Sequence, residues 1–398
     1  MRALLEESFR AAVAAADPLK ILGAHLPPPP KGRTFVAAAG KAAASMASAV
    51  ENRWTGPLEG IAVTRYKHGL PTKRIRVVEA GHPVPDEAGE NAAREILQEV
   101  KKLGEDDLLL ALISGGGSSL LSLPAAGVAM EDLKTLTTQL LKSGADIQEI
   151  NTVRKHLSAI AGGRLAAASR APVVALIISD VTGDDPMHIA SGPCAPDPTT
   201  IDDAKAILAK HGIEFRGPFS ESPKTSKARN KVIATAYRSL EAAAEVFRKQ
   251  GIRPEILGDT ITGEAREVGR DMARLARRTM GPAALISGGE CTVTIKGDGG
   301  RGGRCSEFLL ALGMELASCT NEVWAIAADT DGIDGTEDNA GAIWSPDSMA
   351  RARSMRLDAN ALLAKNDSYG FFSALEDLLV TGPTCTNVND YRAIVVHQ

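Results

Sequence analysis

Short apolar runs of strand length alternate with helical patterns along almost the whole chain, and this alternation constrains the fold more than any other feature. In the first half the runs are RTFVAAAG ending at Gly40, GIAVTR at Arg65, RIRVVEAG at Gly81, DLLLALIS at Ser114 and PVVALIISD at Asp180. Helical patterns such as DEAGENAAREILQEVKKL lie between several of them. Because such alternation is typical of parallel βαβ units, the sequence predicts an α/β fold.

The length of the chain favours two domains. At 398 residues it exceeds the usual size of a single hydrophobic core. The segment 213–229, IEFRGPFSESPKTSKAR, is rich in Pro, Ser, Gly and charge and is the best linker candidate. After it the alternation resumes with NKVIAT, RPEILGD, AALISG, CTVTIK, VWAIAADT and YRAIVVH. We predict α/β domains at 1–225 and 226–398. As an alternative, the final strand belongs to the sheet of the first domain.

Composition and charge exclude several kinds of partner. The formal net charge of -4 gives no electrostatic reason to bind nucleic acid or an anionic membrane. No stretch approaches the roughly 20 apolar residues of a membrane span, and Glu6 and Glu7 interrupt the N-terminal apolar pattern, which predicts an amphipathic helix and not a secretory signal. Five widely spaced cysteines are typical of reduced thiols. We therefore expect a soluble cytoplasmic protein that acts on a small molecule.

Two strand ends in the first half carry an anion-binding pattern. The segment ISGGGSSLL places glycines and hydroxyls directly after a strand, where backbone N–H groups approach an anion closely. Its predicted binding residues are Ser114, Gly115, Gly116, Gly117, Ser118 and Ser119. Lys41 opens a helix after the first strand, against the helix macrodipole, which favours a bound anion over a capping role. A plain tight turn and an exposed lysine are the alternatives, and no Walker A pattern occurs.

The sequence ALISGG occurs twice, at 111–116 and at 284–289. Each copy is a strand that runs into glycines, so the second copy predicts a further binding turn at Gly288, Gly289 and Glu290, unless the echo is coincidental. The segment CTVTIKGDGGRGGRCSEF then matches GxGxxG formally, at Gly297, Gly299 and Gly302. A dinucleotide fingerprint is one interpretation.

Cations in the same loop favour a polyphosphate. Lys296, Arg301 and Arg304 lie in or beside the glycine run, with Gly303 directly before Arg304. The preceding strand alternates Thr with apolar residues, unlike a central Rossmann strand. A guanidinium that begins a helix is suited to fork across phosphoryl oxygens, so we predict that Gly302, Gly303 and Arg304 bind nucleotide phosphates.

Acidic residues collect at two strand ends, and their oxygens are of the kind that Mg²⁺ prefers. They are Asp180, Asp184, Asp185, Asp329, Asp331 and Asp334. Turn and helix caps are the alternative for each of them. A basic segment, NTVRKHLSAIAGGRLA, further predicts that Asn151, Arg154, Lys155 and Ser158 share a helix face able to hold a carboxylate or phosphate, with a solvated turn as the alternative.

Eight motifs in order resemble one family. They are GKAAASMA, EAGHPVPDEAG, LISGGGSSLL, NTVRKHLSAIAGGRLA, SDVTGDDPMHIASGP, SGGECTVTIKGDGGRGGRCSEF, DTDGIDGTEDNAGA and TGPTCTNVNDY. The chain resembles the glycerate 2-kinases of the MOFRL type. The resemblance implies a larger Rossmann-like N-terminal domain and a smaller MOFRL-type C-terminal domain around a deep cleft. It also implies ATP and Mg²⁺ as cofactors, D-glycerate as substrate and 2-phosphoglycerate as product.

The family's active-site lysine and arginine fall on Lys41 and Arg304. Cys305 and Ser306 stand where the family has Asn and Gln, and DVTGDD replaces DVPGDD. Some relatives are labelled hydroxypyruvate reductases, so an NAD(P)-dependent reductase is the alternative function.

We predict in-line phosphoryl transfer, in which Lys41 and Arg304 offset charge on the transferred group. Asp180 is the predicted base, with Asp331 as the alternative. Asp180, Asp184 and Asp331 are the predicted metal ligands, and a monomer or homodimer is expected.

Overall fold

The computed structural model describes residues 1–295, 299–317, 319 and 321–397. Its helices are α1 (Arg2–Ala15), α2 (Pro18–Ile21), α3 (Ala43–Glu51), α4 (Glu87–Lys102), α5 (Gly117–Leu120), α6 (Met130–Lys142), α7 (Ile147–His156), α8 (Arg164–Ala167), α9 (Ile201–Lys210), α10 (Ala236–Lys249), α11 (Ala265–Arg278), α12 (Arg304–Leu316), α13 (Ser348–Ser354), α14 (Ala359–Ala364) and α15 (Ser368–Ala374). Its strands are β1 (Thr34–Ala39), β2 (Leu58–Arg65), β3 (Ile75–Ala80), β4 (Leu108–Ile113), β5 (Val173–Ile178), β6 (Arg229–Ala234), β7 (Arg253–Gly258), β8 (Gly263–Glu264), β9 (Ala283–Ser287), β10 (Cys291–Thr292), β11 (Glu322–Asp329), β12 (Gly341–Trp344), β13 (Leu378–Leu379) and β14 (Asp390–His397).

The chain divides into two compact units. The first unit is Asp17–Ile233, and the second unit joins Met1–Ala16 to Ala234–Gln398. Each unit contains a six-stranded sheet and helices, so the predicted α/β fold class is confirmed.

The sheet of the first unit has the strand order β3-β2-β1-β4-β5-β6, which is the Rossmann order. Strand β1 pairs in parallel with β2 on one side and β4 on the other, and β4 pairs in parallel with β5. Every residue of β1 and β4 is buried, as expected for a parallel sheet covered on both faces. The direction of strand succession reverses between β1 and β4, so ligand-binding loops are expected at the carboxyl ends of these two strands.

Local signals in the sequence account for the helices that cover this sheet. Helix α4 begins after Asp86, whose carboxylate accepts a hydrogen bond from the Gly89 N–H at 3.0 Å. Acidic residues lie in its first turn and Lys101 and Lys102 in its last, as the macrodipole favours. Its apolar stripe, which includes Ile96 and Val100, is buried in the core. Among the described residues, no helix is both long and apolar enough to cross a membrane.

The second unit has a mixed sheet in the order β13-β12-β11-β14-β9-β7. Strand β14 is antiparallel to both β11 and β9, and β11 is antiparallel to β12. The expectation of parallel units throughout the chain is therefore wrong for most of this half, although β7 pairs with β9 and β8 with β10 in parallel. The connection from β11 to β12 holds no helix, and a parallel pair needs a crossover of about a dozen residues or more, usually helical.

Two segments differ from the predicted domain limits. Helix α1 packs in the second unit, where Leu5 and Phe9 join its core and the Tyr391 hydroxyl donates to Ser8 Oγ at 2.8 Å. The final strand β14 lies inside the sheet of the second unit and does not return to the first. The apolar residues of both segments find their buried partners there, and the division between the units falls at 233/234 instead of 225/226.

Candidate functional site

Two turns interlock at the point where the strand order of the first sheet reverses. We call them the switch-point turns: Gly40–Ala42 after β1, and Ser114–Ser119 after β4. The Lys41 N–H donates to the Gly115 carbonyl at 2.8 Å, and the Ala42 N–H donates to Ser114 Oγ at 3.0 Å. Gly40 has a φ of +126°, and a Cβ there would lie 2.5 Å from the Ser114 carbonyl oxygen. Only glycine therefore allows the two turns to meet.

The side chain of Lys41 lies over the glycine turn. A Cβ placed on Gly116 would be 3.3 Å from Lys41 Cγ and 2.9 Å from His82 Nε2. Lys41, Gly116 and Ser118 are partly exposed, whereas Ser114, Gly115, Gly117 and Ser119 are buried. The buried members form the frame of the turn, and the partly exposed ones are accessible to a ligand.

Helix α7 supports the glycine turn from behind. Arg154 Nη2 donates to the Ser118 carbonyl at 2.7 Å, and the Ser118 hydroxyl lies 2.8 Å from that of Ser191. Ser191 also donates to Asn151 Oδ1 at 3.3 Å. Burial lowers the pKa of Arg154 to about 10. Asn151 and Arg154 thus lie beside the turn, a proximity that the sequence does not predict, and the contact from Arg154 is to protein backbone.

Lys155 is paired with a buried carboxylate. Its side chain is 3% exposed and its ammonium lies 3.5 Å from the buried carboxylate of Asp197. Ser158 lies beyond the end of α7, where it donates to the Leu123 carbonyl. A buried ammonium needs a counter-ion, and Asp197 provides it for Lys155. That the four residues together hold a carboxylate or phosphate stays a prediction.

Two of the predicted acidic ligands follow β5 at the same edge of the sheet. Asp180 is partly buried, two residues beyond the end of the strand. Asp184 has a left-handed φ of +54° and its N–H donates to the Val181 carbonyl. Asp185 is exposed and caps the Met187 N–H at 2.9 Å. Within the described ranges, no group of three or more His, Cys, Asp or Glu side chains is arranged to hold a metal ion.

In the second unit, three carboxylates hold Arg304. Its Nε lies 2.8 Å from Asp390 and its Nη2 2.6 Å from Asp329, both of which are buried. Its Nη1 lies 3.1 Å from Glu290, whose side chain is 54% exposed. Asp329 and Asp390 are directly opposite each other on the paired strands β11 and β14. Burial alone would lower the pKa of Arg304, but the three carboxylates hold it above its usual range.

These ion pairs fix the plane of the guanidinium. A guanidinium has five N–H donors, so three ion pairs leave donors for a ligand oxygen. The exposed Glu290 is the partner that an incoming anion is able to replace, since exposed ion pairs contribute little free energy.

The second glycine turn follows β9 and carries Glu290. Buried Arg392 donates from Nη1 to the Gly288 carbonyl at 3.1 Å and from Nη2 to the Gly289 carbonyl at 3.4 Å. The same guanidinium lies 2.7 Å from Asp390 Oδ2. Arg392 therefore joins the turn to Asp390, one of the carboxylates that hold Arg304.

The aspartates after β11 are buried and engaged with protein. Asp331 Oδ1 accepts the Ile333 N–H at 2.9 Å. The carboxylate of Asp334 accepts the backbone N–H groups of Cys305 and Ser306. Asp334 is therefore a helix cap for α12, the alternative that the sequence left open.

The glycine loop before α12 is described from Gly299 onward, and Lys296 and Gly297 lie outside the described residues. Arg301 is exposed, pairs with Glu337 at 2.6 Å and stacks on the Tyr369 ring at 4.0 Å from its centroid. Of the described residues 291–295 of the predicted strand CTVTIK, only Cys291 and Thr292 form a strand, β10, which pairs with β8 in a two-stranded sheet. The formal GxGxxG thus does not follow a strand of the main sheet.

Three residues of these sites are not identified by the sequence patterns. His82 lies just beyond β3, and Asp390 and Arg392 lie in the last strand. The signal available for the last two is a pair of charges in an otherwise apolar strand, because buried charges need partners. Position at a strand end is the corresponding signal for His82.

The chain is similar to known proteins over its whole length. Residues 4–220 match a domain of unknown function, DUF4147, and residues 283–390 match the MOFRL family. An Agrobacterium vitis protein with the provisional name hydroxypyruvate reductase is 50% identical, over 99% of this chain and 94% of its own. The D-glycerate 2-kinase of Thermotoga maritima is 40% identical, over 98% of this chain and 97% of its own. A crystal structure of glycerate kinase from T. maritima has a TM-score of 0.90 and 39% identity, and the match covers 99% of both chains.

The fold and these similarities place the chain among the kinases that transfer a phosphoryl group from ATP to an alcohol group. Within that class the chain belongs to the glycerate 2-kinase family of the MOFRL type.

Proposed function

We propose that this protein transfers the γ-phosphoryl group of ATP to D-glycerate and releases 2-phosphoglycerate, by in-line displacement. The observation that carries the proposal is the hydrogen bond from the Lys41 N–H to Gly115, at the switch point of a sheet with the Rossmann strand order. This is the position where open α/β sheets bind ligands, and a lysine above a glycine-lined turn is suited to a phosphate or carboxylate.

Arg304 is the second cation of the proposal. Phosphoryl transfer requires little covalent chemistry from the protein, so catalysis is mainly positioning and charge stabilisation. The two buried carboxylates, Asp329 and Asp390, orient the guanidinium, and displacement of Glu290 frees Nη1 for a phosphoryl oxygen. Lys41 and Arg304 then offset the charge that develops on the transferred group.

The acidic residues fit Mg²⁺ to different degrees. Mg²⁺ is usually held by one or two carboxylates together with phosphates and water. Asp180 and Asp184, at the edge that carries Lys41, suit this requirement, whereas the Asp331 carboxylate already accepts a backbone N–H. The ion would neutralise phosphate charge. We assign Asp180 also as the base that accepts the hydroxyl proton.

The remaining ligand roles follow from exposure. We propose that Gly116 and Ser118 contact the substrate, and that Arg154 holds their turn in place. Gly288, Gly289, Gly302 and Gly303 are proposed to contact ATP phosphates, and Glu290 is proposed to belong to the nucleotide site as the partner of Arg304 that the phosphates displace. The protein is proposed to be cytoplasmic and to act as a monomer or homodimer. It is proposed to have no nucleic-acid or membrane partner.

The reductase alternative rests on the name of the A. vitis relative and on the formal GxGxxG. A dinucleotide fingerprint has to follow a strand of the parallel sheet and open the next helix. Here the loop follows β10, which has two residues and pairs only with β8 among the described strands. The first βα turn of the first unit, where the fingerprint is expected, reads AAAGKAAA.

Two parallel assays test the proposal. One mixes the protein with D-glycerate, ATP and Mg²⁺ and measures ADP. The other supplies hydroxypyruvate with NADH or NADPH and follows absorbance at the nicotinamide band. We expect D-glycerate-dependent ADP formation and no cofactor oxidation. Oxidation without ADP formation would establish the reductase instead.

A further inference from the structure

We propose that Asp334 is a positioning residue for Arg304: its carboxylate fixes the first turn of α12 and thereby the backbone from which the Arg304 side chain extends. This inference rests on the proposed function of Arg304. Asp334 itself does not touch the substrate in this proposal.

The carboxylate of Asp334 is fully committed to the start of α12. Asp334 is 0% exposed. Its Oδ1 accepts the Cys305 N–H at 2.9 Å, and its Oδ2 accepts the Ser306 N–H at 2.8 Å and the Ser306 hydroxyl at 2.6 Å. Cys305 and Ser306 are the two residues that follow Arg304, so two hydrogen bonds hold the peptide N–H groups next to it and the third holds the Ser306 side chain.

The N-cap residue of the helix supplies no side-chain cap, and from within α12 the Ser306 hydroxyl accepts only the Gly303 N–H, at 3.2 Å. The N-cap position is Gly303, which has no side chain to accept the first N–H groups. A Cβ on Gly303 would lie 2.5 Å from the Asp334 carboxyl carbon. The glycine therefore makes room for a cap supplied from a distant part of the chain, 31 residues further along the sequence.

The segment 329–334 fixes Arg304 both at its backbone and at its guanidinium. Asp334 fixes its backbone, and Asp329, five residues earlier in the sequence, binds its Nη2 at 2.6 Å. A shift of the helix start would move the guanidinium relative to its carboxylates. Because a misplacement of about 1 Å can cost about 100-fold in rate, a cap at this point matters for turnover as well as for stability.

The test is Asp334→Asn, which keeps the size of the side chain but presents an N–H₂ group where one acceptor is needed. The matched control is Asp338→Asn, since Asp338 is exposed and its carboxylate accepts a hydrogen bond from the Tyr369 hydroxyl, which lies outside α12. Ser306→Ala removes one of the three hydrogen bonds to Asp334, together with the contacts of the Ser306 hydroxyl to Gly303 and Ser368, and remains usable if Asp334→Asn does not fold.

Turnover of D-glycerate and backbone hydrogen exchange are measured well below the melting temperature of each variant. We expect Asp334→Asn to lower kcat by about 10- to 100-fold with KM changed by less than about threefold. Exchange at Cys305 and Ser306 should rise about tenfold or more as the cap opens. Ser306→Ala should follow the same pattern with a smaller loss, and Asp338→Asn should match the wild type.

Several results would overturn the proposal. One is a folded Asp334→Asn protein that retains more than about half of the wild-type kcat. Another is a loss confined to KM, or unchanged exchange at 305 and 306. If Asp334→Asn is unfolded, wild-type kinetics in Ser306→Ala would have the same meaning. An inactive wild-type protein would reject the kinase function, while the exchange data would still decide whether Asp334 fixes the start of α12.

Discussion

Substitution of Gly40 by alanine tests whether the switch-point turns depend on close backbone contact. Gly40 has a φ of +126°, which costs a residue with a Cβ about 1 to 3 kcal/mol. The new Cβ would also lie 2.5 Å from the Ser114 carbonyl oxygen, and relief of such overpacking costs about 1 to 3 kcal/mol more. We therefore expect a total loss of about 4 kcal/mol in the free energy of unfolding, taking the middle of each range.

Gly56 provides a matched control in the same unit. Its φ is +117°, and a Cβ there would meet only Pro29, at 3.9 Å. Gly56→Ala should therefore lose about 2 kcal/mol, from backbone strain alone. Since about 1 kcal/mol corresponds to about 2 to 4 °C for a unit of this size, we expect losses of about 8 to 16 °C for Gly40→Ala and about 4 to 8 °C for the control.

The assay combines scanning calorimetry with the D-glycerate kinase assay. Gly40→Ala should also lower kcat, because Lys41 is the next residue, whereas Gly56 precedes β2 at the opposite edge of the sheet and its variant should keep wild-type kinetics. Equal melting temperatures for the two variants, together with full activity in Gly40→Ala, would refute the interlocked turns.

Two further predictions concern charged side chains. Arg304→Ala, assayed below its melting temperature, should lower kcat by at least about 10³-fold. Arg301 is exposed, and the kcat of the control variant Arg301→Ala should stay within about twofold of the wild type. A kcat above about one tenth of the wild-type value in Arg304→Ala would reject the role of Arg304. Side-chain hydrogen bonds, the strongest from Lys210 and the next from His211, lower the pKa of Glu149 from 4.5 to about 2. This carboxylate therefore stabilises the fold above pH 4.5 and loses that contribution as the pH falls through about 2. Glu149→Gln should thus lower the melting temperature at pH 7 and much less at pH 2, and an equal deficit at both values would contradict the ion pair.

Sequence patterns reach the local part of this structure. The strand ends that carry Lys41 and Ser114 are predictable because a buried apolar run stops at glycine, and the two turns meet because the strands that precede them are neighbours in the sheet. The Rossmann order of the first sheet follows from the resemblance, whereas alternation alone leaves the order of strands open.

Contacts between distant segments are beyond such patterns. Asp329 and Asp390 face each other only because β11 and β14 pair in one particular register. Asp334 has the residue type of a metal ligand, and its position beneath Gly303 makes it a helix cap instead. Helix α1 is recognisable as amphipathic, but nothing in its sequence says which unit covers its apolar face.

Phosphorus NMR of the reaction product tests the central claim most directly. The protein is incubated with D-glycerate, ATP and Mg²⁺, and the new phosphate monoester is assigned by its coupling to the carbon-bound protons. Phosphate on the secondary hydroxyl, coupled to a single proton, is the predicted result. Phosphate on the primary hydroxyl, coupled to two protons, or no new resonance at all, would contradict the assignment as a glycerate 2-kinase.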